Sequence, residues 1–200
     1  MILRPLARAA GVMVAVTLAS VAFLTVTEAK VKVHAKRDEA FNFRGLRTWA
    51  WHSEGAGEVK MMLTPDDDPA AMQARFEPVI KDAVARELTA RQLVAAPEGQ
   101  TPDVYVMYYV LISTNTNRSV IGQNVTAEMA WSVPMFMQST QGFEIFEEGS
   151  LILDVSSPAT RSLVWRGVAQ AKIDRERTPT QRDARLRDAI ASLIEKFPKS

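Results

Sequence analysis

The chain has 200 residues, 47% of them apolar and 24% charged, with a formal net charge of +1 and no cysteine. This composition suits one globular domain and excludes a disordered or fibrous chain. The missing cysteine excludes disulfide stapling, thiolate catalysis and an acylated lipoprotein cysteine, and near-neutrality removes any general electrostatic pull toward nucleic acid or anionic lipid.

The first 29 residues read as an export leader. Arg4 and Arg8 make a short basic start, residues 9–26 carry no charge, and Thr27 and Ala29 place small residues three and one before a cut ahead of Lys30. That order is the signal-peptide pattern. An uncleaved anchor is the rival, because eighteen helical residues at about 1.5 Å each reach roughly 27 Å, close to a bilayer core. Either way residues 30–200 are expected outside the cytoplasm, in the periplasm, free after cleavage near Ala29 or tethered to the inner membrane.

Val31, Val33 and Ala35 alternate with Lys32 and His34, which predicts a half-buried strand. Thr48 to Trp51 predicts a second strand with both tryptophans on one face, and residues 53–60, with two glycines and two glutamates, read as a loop. Asp66, Asp67 and Asp68 before Pro69 offer N-cap carboxylates for a helix whose stripe is Phe76, Ile80, Ala83, Val84 and Leu88. Pro78 falls inside that stripe and predicts a kink or a later start. Residues 103–112 are apolar on both faces, as in a central strand covered twice or one whose second face meets a partner. Residues 113–128 read as a loop, and 129–137 and 142–146 as further strands, with Pro134 confining the first to an edge. Residues 150–155 and 163–173 predict an antiparallel hairpin. Thr178, Pro179 and Gln181 form a capping box that opens a final helix, with Leu186, Ile190, Leu193, Ile194 and Phe197 on one face.

The order of elements predicts an α+β fold: a two-layer domain with a mostly antiparallel sheet and two helices packed on one face, preceded by the signal or anchor helix. Four segments in this order resemble the bacterial envelope proteins of domain of unknown function family 4136. They are the opening strand, Phe43 with Arg47-Thr48-Trp49-Ala50-Trp51, Pro102-Asp103-Val104, and Gly149-Ser150-Leu151-Ile152-Leu153-Asp154 followed by Leu163-Val164-Trp165-Arg166-Gly167. The resemblance spans roughly residues 31–197. It implies an α+β envelope domain, lipoprotein-like in its relatives, with no assigned reaction; this chain departs from it in lacking a lipobox cysteine.

Candidate chemistry is sparse. His34 and His52 are the two histidines and would approach each other if the first two strands paired, but their spacing matches no ligand pattern. The three aspartates lack the alternating spacing and distal glutamate of a calcium loop. No Gly-x-Ser-x-Gly elbow or glycine-rich phosphate loop is present, so no catalytic residue, metal or cofactor is assigned. Met129, Trp131, Met135, Phe136 and Met137 form an apolar cluster suited to packing, to contact with a partner or lipid, or, through thioethers, to copper(I). The expectation is a non-catalytic envelope domain that binds a protein, lipid or cell-wall partner, through those residues or beside strand 103–112; the alternative is a periplasmic enzyme or metal-binding protein with an unrecognised site.

Overall fold

A computed structural model describes residues 31–62, 68–113, 149–172 and 176–199. In chain order the elements are β1 (Lys32–Arg37), β2 (Thr48–Trp51), β3 (Gly57–Met62), α1 (Pro69–Ala90), β4 (Val94–Ala95), β5 (Val104–Ser113), β6 (Gly149–Ser156), β7 (Leu163–Ala171) and α2 (Pro179–Glu195). The strands form one seven-stranded sheet in the order β1-β7-β6-β5-β2-β4, with β3 also on β5. The fold is therefore α+β, with two helices among the described residues, as expected.

The sheet is mixed rather than mostly antiparallel. β1 on β7, β7 on β6 and β6 on β5 are antiparallel; β5 on β2, β5 on β3 and β2 on β4 are parallel. The physical reason is α1, which carries the chain from the end of β3 back to where β5 must begin. A strand that returns through a crossover helix runs parallel to its predecessor. Two further differences concern short strands. Residues 57–60, expected within a loop, belong with 61 and 62 to a strand that pairs with β5, and Val94 and Ala95 pair with β2. Gly57 looks like a loop residue but is a packing requirement, since a Cβ there would run into the Tyr108 carbonyl and ring.

α1 starts where its cap places it. The Asp68 carboxylate accepts from the N–H groups of Ala70 and Ala71 at 2.9 and 3.2 Å, Pro69 opens the helix, and Pro78 is carried inside it. Asp66 and Asp67 lie outside the described residues. In α2 the capping box is complete: Gln181 N–H donates to Thr178 Oγ1 at 3.3 Å, and Thr178 N–H to Gln181 Oε1 at 2.9 Å. The helices face each other with complementary charge, Arg75 lying 3.8 Å from Asp183 and Arg187 3.7 Å from Asp82. These pairs are half-exposed, so they orient the helices more than they stabilise them.

The main core joins the helix stripes to one face of the sheet. Ile80, Ala83, Val84 and Leu88 of α1 and Ile190, Leu193 and Ile194 of α2 are buried with Val104, Val106, Tyr108, Val110 and Ile112 of β5. Edge-to-face rings extend it: Trp49 on Trp51 at 5.3 Å, Trp51 on Tyr108 at 6.3 Å, and Trp165 on Phe197 at 5.3 Å. The other face of the sheet has its own buried apolar cluster of Tyr109, Leu111, Ile152 and Val168. Burial on both faces of β5 accounts for its unbroken apolar run. Among the described residues no helix is long and apolar enough to cross a membrane; residues 1–30 lie outside them.

Candidate functional site: a cleft beside the central strand

β2 and β3 lie end to end along one side of β5. Trp49 to Trp51 sit opposite Val104 to Val106, and Gly57 to Met62 opposite Tyr108 to Ser113. Only Met107 faces the gap, so residues 52–56 must loop out of the sheet, as a bulge does. The excursion is pinned at both ends, His52 N–H donating to the Val106 carbonyl at 3.0 Å and Tyr108 N–H to the Ala56 carbonyl at 2.9 Å. It raises His52, Ser53 and Glu54 into one wall of a cleft of about 720 Å³.

Strand alternation supplies the floor. Because Val104, Val106 and Tyr108 point into the core, Tyr105, Met107 and Tyr109 point to the opposite face, where they line the cleft with Asp154 and Ser156 of β6. The Ser157–Leu163 turn between β6 and β7 makes the second wall. His52 packs edge-on against Tyr105 with ring centroids 5.6 Å apart, and its Nδ1 accepts from the Glu54 N–H at 3.3 Å.

The inner charges of the cleft are satisfied. Asp154 sits directly opposite Arg166 on β7. Arg166 Nε donates to Asp154 Oδ1 at 2.7 Å and Nη2 to Oδ2 at 2.6 Å, with side-chain exposures of 0% for Arg166 and 6% for Asp154. The Tyr109 hydroxyl donates to the Met107 sulfur at 3.2 Å. Burial, and then the negative charge of Asp154, push the Tyr109 hydroxyl up to about 12, so it stays protonated near neutrality.

The rim is different. Arg161 is exposed and adopts a left-handed φ of 54°, a conformation few non-glycine residues adopt. The turn imposes it: Arg161 N–H donates to the Ser157 carbonyl at 2.8 Å and Ser157 N–H to the Ser162 carbonyl at 2.9 Å. Among the described residues, neither Arg161 nor Glu54 forms an ion pair through its side chain.

The residues singled out from the sequence fall elsewhere or in part. His34 lies on edge strand β1 and His52 at the end of β2, with β7, β6 and β5 between them. Four strand spacings separate their strands by about 19 Å, so they do not meet. Among the described residues no three His, Cys, Asp or Glu side chains are grouped to hold a metal. Met129, Trp131, Met135, Phe136 and Met137 lie outside the described residues. Of the described residues, Val94, 54% exposed, is the one large apolar side chain open to solvent. Sequence reading marked residues 103–112 as two-faced, which locates the floor. The loop at 53–56 and the turn of the 150–155/163–173 hairpin are also legible in the sequence; that they meet as two walls beside this strand is not, because the sheet order brings them together.

The family model described as Domain of unknown function (DUF4136) matches residues 33–199. Among solved structures, the chain is similar to a family protein from Bacteroides thetaiotaomicron at 13% identity, covering 84% of this chain and 94% of that one with a TM-score of 0.46. It is similar to a PDZ domain protein from Parabacteroides distasonis at 14% identity, covering 86% and 36% with a TM-score of 0.47. It is also similar to the PelC dodecamer from Paraburkholderia phytofirmans at 11% identity, covering 82% and 96% with a TM-score of 0.41. No curated protein matches it in sequence. The match over nearly the whole chain, on the segments that build the sheet, makes this chain a member of the DUF4136 family.

Proposed function

We propose that this protein is an exported bacterial envelope domain that acts by binding a partner rather than by catalysis, with the cleft beside β5 as its binding surface. Residues 1–29 would deliver it to the periplasm, either cut near Ala29 or kept as a tether. The observation that carries the binding role is the cleft itself: a concave surface beside the central strand that mixes aromatic, apolar and polar side chains, walled by the excursion between β2 and β3.

Its titratable groups favour binding over chemistry. Asp154 has both oxygens engaged by Arg166 and is a poor base. Tyr109 holds its proton, and His52 uses Nδ1 on its own loop. A general base needs a free lone pair within reach of substrate. The apolar residues Met129, Trp131, Met135, Phe136 and Met137 stand as a second candidate contact on sequence grounds alone.

The test is site-specific photocrosslinking in intact cells. A benzophenone amino acid at Tyr105 is expected to capture a discrete partner, and the same group at Lys81, exposed on α1, is expected to capture none. Equal capture at both positions, or none at Tyr105, would overturn the assignment.

A further inference from the structure

Among the described residues, Arg161 and Glu54 are the two cleft charges without an ion partner, and they sit on opposite walls. Arg161 belongs to the β6–β7 turn and Glu54 to the excursion after β2, with β5 and β6 between. At about 4.8 Å per strand spacing the walls stand about 12 Å apart. An extended peptide covers that distance in about four residues at roughly 3.3 Å each.

We propose that the cleft holds an extended peptide segment of about four residues, with an acidic group against Arg161 and a basic group against Glu54. This deepens the binding reading above and rests on it. Between the walls the floor offers Tyr105 and Met107, both half-buried, against which the intervening residues can lie flat. Asp154 is already neutralised by Arg166, so among the described residues the cleft offers one unpaired positive and one unpaired negative charge, set apart. A polyanion would meet Glu54 with repulsion, which disfavours nucleic acid and an anionic bilayer. A zwitterionic lipid headgroup carries its two charges on adjoining groups and cannot bridge the walls.

The turn supports the role of Arg161. A left-handed arginine is unfavourable, and such positions persist where the surroundings over-determine them. Here they do: Thr160 N–H donates to Ser157 Oγ at 3.4 Å, the Thr160 and Ser162 hydroxyls lie 2.7 Å apart, and the two backbone bonds of the turn close it. Glycine would fit this φ better. The fold keeps an arginine there, its charge turned to solvent at the rim.

The test is fluorescence anisotropy with end-blocked, labelled peptides Asp-Ala-Ala-Lys, Lys-Ala-Ala-Asp and Asn-Ala-Ala-Gln, added to the full chain in non-ionic detergent. One charged order is expected to bind at least tenfold more tightly than the neutral peptide. Arg161→Gly should lose that preference while melting no lower than the wild type, which separates binding from folding. The double change Arg161→Glu with Glu54→Lys should switch the preference to the opposite charged order. Equal binding of all three peptides, an unaltered preference in Arg161→Gly, or a comparable Arg161-dependent affinity for phosphatidylethanolamine vesicles would each overturn the peptide assignment. Should the Tyr105 crosslink persist in that case, partner binding stands and the peptide assignment alone fails.

Discussion

Thr48 and Asp103 hold each other at the point where β2 and β5 first meet. Thr48 donates to Asp103 Oδ2 through its N–H at 2.8 Å and its hydroxyl at 3.1 Å, and Asp103 N–H is directed back at Thr48 Oγ1 at 3.0 Å. Arg47 N–H adds a third donor to the same carboxylate oxygen at 2.8 Å. Parallel pairs cannot be set by a tight turn, and these side chains fix the register of β2 on β5 in place of one. Both residues belong to segments that carry the family resemblance. So do Asp154 and Arg166, and their direct pairing across β6 and β7 shows what those short motifs do for the fold.

The Asp103 carboxylate is held below the usual carboxylate range, first by the Arg47 N–H and then by the Thr48 N–H. A lowered folded value means stability that is present above about pH 4 and lost as pH falls through the folded value. Asp103→Asn should flatten that acid loss in urea unfolding measured from pH 6 to pH 2. Because the site is exposed, Asp103→Ala should cost only about 1 kcal/mol at neutral pH.

The Arg166–Asp154 pair is fully buried. Removing one partner takes two charge-assisted hydrogen bonds from a buried charge, so Arg166→Met and Asp154→Leu should each destabilise by about 3–5 kcal/mol. The double variant should lose clearly less than the sum of the two singles, as a double-mutant cycle in urea would show.

Gln73 of α1 treats the outer edge of β3 as a neighbouring strand would. Its Oε1 accepts from Val59 N–H at 2.7 Å, and its Nε2 lies 3.3 Å from the Gly57 carbonyl, 2.6 Å from Tyr108 Oη and 2.8 Å from Glu77 Oε2. An uncovered edge invites pairing with another chain. Gln73→Ala should cost about 2 kcal/mol, lower the melting temperature by several degrees and speed hydrogen exchange at Val59. It should also raise the aggregation rate.

Tyr108 and Tyr109 are each pushed up to about 12, in both cases chiefly by burial, with Glu77 adding to the first and Asp154 to the second. Between the usual value of 10 and about 12 the unfolded chain ionises these phenols while the folded chain does not. Stability should therefore be insensitive to them below about pH 10 and fall as pH rises toward 12. Tyr108→Phe should reduce that alkaline loss, and absorbance at 295 nm should show late-titrating phenol in the folded wild type.

Much of the fold was legible because local chemistry and tertiary demand agree. The Thr178–Gln181 box, the Asp68 cap, the β6–β7 hairpin and the two-faced run of β5 were each signalled by residue type and period. The parallel pairing of β2 on β5 was not, since its register depends on Asp103 and Thr48, far apart in the chain. β3 was hidden by Gly57, whose reason is the approach of Tyr108. Of the candidate site, Tyr105, Met107 and Tyr109 followed from alternation, while Glu54 and Arg161 required the sheet order to bring two loops to one place.

The binding reading places the partner in the cleft. Residue-resolved hydrogen exchange, comparing the full chain purified in detergent with the same chain in native envelope membranes, tests it most directly. A partner seated in the cleft adds protection in the envelope at residues 52–56, at Tyr105 and at 157–163, with no change along the exposed residues of α1. Protection centred on α1 and α2, or none at the cleft, would contradict it.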